Sequence, residues 1–143
     1  SPIIERRNQK EIEDSITLVC PLYDASTDKI EEEARDNAKK VYKIYRNDSL
    51  EYIIYLIENT GYASNIEMMI SVDKSLTITG YKIISQNETK GDTTKHDFNM
   101  TGKNNLDEFD SLSGSTFSSN AIKKSFSEAL SFAKIDFKEE THE

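Results

Sequence analysis

The sequence predicts a single α+β domain over residues 1–143, built as a twisted, half-barrel-like antiparallel meander with N-terminal helices and one C-terminal helix packed on it. Apolar residues repeat at helical spacing near both ends of the chain and alternate with polar residues between positions 41 and 85. The chain is also long enough to bury a core without help from a disulfide or a metal.

The N-terminal part, residues 1–40, is predicted to be helical. Residues 5–19 carry a narrow apolar stripe of Ile12, Ile16 and Val19, and Pro21 ends this first helix because proline cannot continue it. A second helix is expected to start at residues 26–28, where Ser, Thr and Asp favour an N-cap. Its apolar side would consist of Ile30, Ala34 and Ala38.

The middle of the chain is predicted to form antiparallel strands separated by turn residues. The strand-like segments are 41–45, 50–57, 66–72 and 76–84. In the last segment the apolar positions shift parity across Gly80, from Leu76 and Ile78 to Tyr81 and Ile83. An inserted residue reverses the face to which later side chains point, so the sequence predicts a β-bulge at Gly80.

Residues 86–118 are polar and lack apolar periodicity, which in a compact domain is typical of functional loops. A C-terminal helix is expected over residues 119–136, beginning at Ser118 or Ser119. Its apolar stripe, which should dock on the sheet, is Ile122, Phe126, Ala129, Leu130 and Ala133.

Composition excludes several functions. The net charge of -8 and the sequence pI near 4.9 would repel a phosphate backbone, so we expect no nucleic-acid partner. Cys20, His96 and His142 are too few to supply a structural zinc site, and no metal site is predicted. His96 lies in the polar loops, where a solvent-exposed histidine without a catalytic role is expected.

The start of the chain bears on its location. No apolar run approaches the roughly 20 residues that a membrane-spanning helix needs. The chain opens at Ser1-Pro2 without an initiator methionine, and we therefore expect a signal or anchor segment upstream of Ser1.

The segment 110–119 concentrates hydroxyl groups and one glycine immediately before the C-terminal helix. Unpaired backbone N–H groups and the positive end of a helix dipole favour an anion such as phosphate at this position, and Gly114 would let the backbone come close to it. A serine-rich loop that merely caps the helix fits the same pattern. Local chemistry leaves both interpretations open.

The same segment resembles the flavin-attachment sequence of the FMN-binding domains in the G subunit of the Rnf electron-transport complex and the C subunit of the sodium-translocating NADH:quinone oxidoreductase. The matching residues are Asp110, Ser113, Gly114, Ser115 and Thr116, with Ser115 in place of the usual alanine. The resemblance implies that Thr116 carries FMN through a phosphoester installed by a flavin transferase. Asp110 would then serve recognition by the transferase, or it would cap the turn through its carboxylate.

Further stretches match this family in the same order along the chain. Gly61-Tyr62 resembles its glycine-tyrosine turn, and residues 88–91 resemble its Glu-Thr-Pro-Gly loop beside the flavin, with lysine in place of proline. The implied cofactor contacts in that loop are Glu88, Thr89 and Gly91. We expect these loops and residues 113–116 to converge on one side of the domain, because a single flavin must touch all of them.

The resemblance implies an extracytoplasmic electron carrier in an ion-translocating membrane complex, acting as an electron-transfer subunit with no catalytic residue of its own. Its expected partners are other subunits of that complex and, during maturation, the flavin transferase. A free-standing extracellular shuttle, or the flavin module of a surface reductase, would have the same site and different partners. A non-redox surface domain that keeps the fold without flavin is the remaining alternative.

Overall fold

The computed structural model describes residues 2–36, 38, 40–61, 64–85 and 93–141. Within these ranges, two helices and five strands form an α+β domain. Their bounds are α1 Pro2–Val19, β1 Asp28–Glu33, β2 Lys40–Arg46, β3 Ser49–Thr60, β4 Asn65–Asp73, β5 Ile78–Ser85 and α2 Thr116–Thr141. Neither helix combines the length and the hydropathy needed to cross a bilayer in the part of the chain described.

The strands form one antiparallel meander in the order β1-β2-β3-β4-β5, which confirms the predicted fold class. The two helices cover opposite faces of this open sheet. Successive residues of β3 alternate between the faces, so Tyr55 and Ile57 join the core beneath α2, while Tyr52 and Ile54 join the core beneath α1. The apolar run of β3 is continuous because the strand is buried on both sides.

The predicted second helix is wrong, since residues 28–33 form the edge strand β1 along β2. Ser26, which was expected to cap the helix, instead forms a local turn. Its backbone N–H and its hydroxyl both donate hydrogen bonds to the Asp24 carboxylate. The buried Asp28 carboxylate then accepts from Arg46 Nε at 2.7 Å, across the ladder. An isolated short helix is marginal in water, so the strand pairing prevails over local propensity.

The predicted bulge in β5 is present. Ser71 pairs with Gly80 and Val72 pairs with Ile78, which leaves Thr79 as the extra residue beside the glycine. The end of α1 docks here, because the Thr79 hydroxyl donates to the carbonyl oxygen of Val19 at 3.0 Å. A Cβ on Gly80 would lie 2.4 Å from that same oxygen, so the close approach requires glycine.

The C-terminal helix is longer than predicted, since α2 begins at Thr116 and ends at Thr141. The carbonyl of Ser115 accepts the first intrahelical hydrogen bond, from the N–H of Ser119 at 2.9 Å, which makes Ser115 the N-cap. Residues 116–118 therefore belong to the helix and not to the preceding loops. Of the predicted stripe, Leu130 is half-buried and the other members are buried: Ile122, Phe126, Ala129 and Ala133.

Candidate functional site

The turn before α2 is fixed by hydrogen bonds at both ends. Leu112 accepts from the N–H of Ser115 at 3.1 Å through its carbonyl and donates its own N–H to the Ser119 hydroxyl at 3.0 Å. Gly114, between them, has a φ of 80°, a conformation that glycine adopts without strain. Nothing lies within 4 Å of a Cβ built on Gly114, so its backbone conformation, and no close packing, explains the glycine here.

Thr116 is the first residue of α2, and its side chain is exposed. The nearby hydroxyls differ in exposure: Ser113 is exposed, whereas Ser115, Ser118 and Ser119 are buried. No acidic side chain lies in the first turn of α2. The positive end of the α2 dipole therefore lies beside an exposed hydroxyl, which fits a phosphate group at this place.

Asp110 lies at the entrance of this turn and is held by the preceding loop. Its N–H donates to the carbonyl of Phe98 at 3.0 Å, and its own carbonyl lies 2.8 Å from Nε2 of His96. The Asp110 side chain is 63% exposed, with its carboxylate 3.5 Å from the same His96 nitrogen. The turn-capping and transferase-recognition roles expected of Asp110 stay predictions.

His96 differs from its expected setting. It is half-buried and not fully exposed, because its ring packs edge-on against Phe98 with centroids 4.6 Å apart. Phe98 in turn stacks on Phe109, and Phe109 contacts Phe126 of α2. This aromatic cluster anchors the chain around Asp110 to the helix that carries Thr116.

Tyr81 of β5 joins the aromatic cluster to the sheet. Its ring meets Phe126 edge-on at 4.9 Å, and its hydroxyl oxygen accepts the N–H of Phe98 at 3.0 Å. Burial raises the pKa of the Tyr81 hydroxyl, which keeps it in its neutral form. The loop is thus tied to a rigid strand as well as to α2.

A groove runs between the β3–β4 end of the sheet and the start of α2. Its volume is about 340 Å³. The lining consists of Glu58, Asn59, Thr60, Asn65, Phe117, Asn120, Ala121 and Lys124. We call this the β3–α2 groove. Below it, the Asn59 amide donates to the Ser125 hydroxyl at 2.8 Å and to the Glu128 carboxylate at 2.6 Å, which fixes β3 against α2.

Among the predicted contacts from the earlier loops, Gly61 directly follows Thr60 of the groove lining and donates its N–H to the carbonyl of Ser64 at 2.8 Å. It therefore lies at the same end of the domain as the start of α2. Tyr62, Glu88, Thr89 and Gly91 lie outside the described residues, as does Lys90, so the expected convergence of all the loops stays a prediction.

The sequence interpretation missed Phe117, Asn120 and Lys124. Phe117 is 67% exposed, unusual for a phenylalanine, and it directly follows Thr116. Asn120 and Lys124 stand four and eight positions after Thr116, so helical spacing places them on its side of α2. That spacing was visible in the sequence, whereas the sheet end that completes the groove was not.

Fold and turn together define an α+β domain with a phosphate-compatible helix terminus beside a polar groove. A family model for the FMN-binding domain matches residues 61–131, which include Gly61, β4, β5, Asp110 and the turn through Thr116. This chain therefore belongs to the FMN-binding domain family, and it has a flavin-binding role with FMN as the supported cofactor. No curated protein has a significantly similar sequence.

Proposed function

We propose that this protein is an electron carrier that holds FMN covalently, through a phosphoester on the Thr116 hydroxyl. The observation that carries the proposal is an exposed threonine at the first position of α2, inside the segment matched by the family model. When bound, FMN supplies electron transfer, and the protein supplies attachment, orientation and electrostatic tuning.

The start of α2 suits the phosphate group. A helix N-terminus stabilises a nearby anion by about 0.3–1 kcal/mol at an exposed site. The hydrogen bonds between Leu112, Ser115 and Ser119 hold the turn in place before any ligand arrives. Thr116 therefore presents its hydroxyl from a preorganised turn.

Burial selects the hydroxyl that a transferase can reach. Ser115, Ser118 and Ser119 are 5%, 2% and 1% exposed, so within residues 113–119 only Ser113 competes with Thr116. Thr116 Oγ1 forms its bond to phosphorus while the transferase breaks the pyrophosphate bridge of a flavin dinucleotide. The nucleotide half leaves, and the hydroxyl proton passes to the transferase. FMN alone would have to expel hydroxide, which is a poor leaving group.

The setting that we propose follows the resemblance described above. The domain is an extracytoplasmic subunit of an ion-translocating membrane complex, anchored by a segment upstream, where a covalent tether prevents loss of the cofactor. Asp110 takes part in recognition by the transferase. The remaining cofactor contacts are assigned to Ser113, Gly114, Ser115, Gly61, Tyr62, Glu88, Thr89 and Gly91.

The test is coexpression with a flavin transferase, followed by mass spectrometry of the denatured protein. We expect the mass of one FMN on the native chain and none on T116A, since alanine cannot form the ester. S113A should still carry covalent FMN, because it keeps the Thr116 hydroxyl. Flavin retained on T116A and lost from S113A would move the attachment to Ser113. A native chain without covalent flavin would overturn the proposal.

A further inference from the structure

The β3–α2 groove begins beside Thr116 and continues along α2. Thr116, Asn120 and Lys124 follow one another at helical spacing, and the last two line the groove. From Thr116 to Lys124 the helix rises about 12 Å. The phosphate, the extended ribityl chain and the ring of FMN together span such a distance, so a flavin attached at Thr116 reaches the groove.

We infer that the β3–α2 groove holds the isoalloxazine ring of FMN, and that Lys124 raises the reduction potential of the flavin there. This inference rests on the proposed attachment at Thr116. It assigns a place to the ring and a tuning role to a residue outside the attachment sequence.

The groove offers the chemistry that such a ring requires. Phe117 presents an aromatic surface that is 67% exposed at the edge of the groove, against which a flat ring can stack. Asn120 supplies an exposed amide with both donor and acceptor atoms. The rest of the lining is mainly polar, which suits the pyrimidine end of the ring, because its N–H and carbonyl groups form hydrogen bonds.

Two opposite charges line the groove: the ammonium group of Lys124 and the carboxylate of Glu58. The ring becomes more negative on reduction, so a neighbouring cation stabilises the reduced form and a neighbouring anion destabilises it. Lys124 therefore raises the potential, and Glu58 lowers it.

The chain contains a matched control in Lys123. It precedes Lys124 directly and carries the same charge, but its ammonium group lies 5.8 Å from the ring centroid of Phe109, away from the groove lining. A long-range effect of net charge would act alike for both lysines. An effect of the groove would act for Lys124 alone.

The first experiment is a redox titration of the flavin on K124Q, K123Q, E58Q and the native chain, against dyes of known potential. For K124Q we expect the equilibrium constant for flavin reduction to fall at least tenfold, which lowers the potential by about 30 mV for a two-electron couple. E58Q should shift the potential in the opposite direction, and K123Q should shift it by less than half as much as K124Q. Equal shifts in the two lysine variants would overturn the inference.

The second experiment places an electron-rich ring at Phe117. In F117W, a stacked indole should quench the fluorescence of the bound flavin several-fold relative to the native chain. The control is I135W, because Ile135 is an exposed apolar residue of α2 far along the helix from Thr116. Equal fluorescence in F117W and I135W would place the ring elsewhere.

These outcomes separate the two proposals. If flavin is covalently bound at Thr116 but K124Q does not change its potential and F117W does not change its fluorescence, the groove inference is wrong and the proposed attachment is still supported. A native chain that acquires no covalent flavin overturns the attachment, and the groove inference with it.

Discussion

The two helices cover opposite faces of one sheet, yet they are held by different interactions. α2 buries a long stripe that extends from Ala121 to Phe137, whereas α1 buries Ile16 and Val19 near its end and leaves Leu18 exposed. α1 is positioned by the contact of the Val19 carbonyl with the bulge at Gly80. The helix that carries the candidate site is thus anchored along its length, whereas the described side chains of α1, from residue 9 onward, are most buried at its C-terminal end.

The C-terminal half of α2 has an additional anchor in a buried polar network. The Asp136 carboxylate accepts from the Tyr55 hydroxyl at 2.5 Å and from Arg35 Nη1 at 2.6 Å. Burial, together with the hydrogen bond to Asp136, raises the pKa of Tyr55, so the phenol stays protonated and donates. The network joins the segment after β1, the central strand and α2, and it fixes the helix against sliding.

The largest effect is expected for D136A, which leaves the buried Tyr55 phenol without its partner and the largely buried Arg35 guanidinium with only its ion pair to Glu33. We expect the free energy of unfolding to fall by about 3 kcal/mol, measured by urea denaturation. The control is E139A, because Glu139 is an exposed residue of the same helix and its removal should change stability by less than about 0.5 kcal/mol. Equal losses in both variants would show that the network does not anchor α2.

A smaller and more local effect is expected for G80A. The added methyl group would meet a backbone carbonyl of α1 at 2.4 Å, so α1 must shift. We expect a loss of about 1–3 kcal/mol, as for other overpacked sites. Hydrogen exchange should show faster exchange in α1 and unchanged protection in α2. T77A, in the preceding turn, serves as the control; an equal loss of protection in both helices would contradict the difference between the two faces.

The spacing of apolar residues predicted those elements in which the local sequence pattern agrees with the packing of the fold. The strands, the stripe of α2 and the bulge near Gly80 are examples, since each follows from which side chains must face the core. β1 was missed because residues 28–33 hold one apolar residue, Ile30, and their strand state depends on pairing with β2. The start of α2 was placed too late because serines occupy positions 115, 118 and 119, and a sequence does not show which of them is the N-cap.

The candidate site likewise has one part that could be predicted from the sequence and one part that could not. The segment 110–116, for which we propose attachment, could be found from sequence because its residues lie close together and resemble a family pattern. The β3–α2 groove could not, because Asn59 and Asn65 come from the sheet while Asn120 comes from the helix, and only the fold brings them together. Residues 88–91, which the sequence assigns to the cofactor, keep the status of a prediction.

The smallest effect on stability is expected for S119A, and it tests whether the better anchored helix also prepares the attachment site. The Ser119 hydroxyl is buried and accepts the N–H of Leu112 at 3.0 Å, so its loss should cost about 1 kcal/mol of folding stability. Because the turn 112–116 would lose one of its fixed ends, we expect covalent attachment of FMN to slow about threefold to tenfold, measured as a time course with purified transferase. S111A removes a nearby exposed hydroxyl that is outside the matched residues and the assigned contacts, and it should keep the native rate. If S119A attached FMN at the native rate while losing the expected stability, the turn would be ordered by the transferase and not by the fold, and α2 would contribute only the position of Thr116.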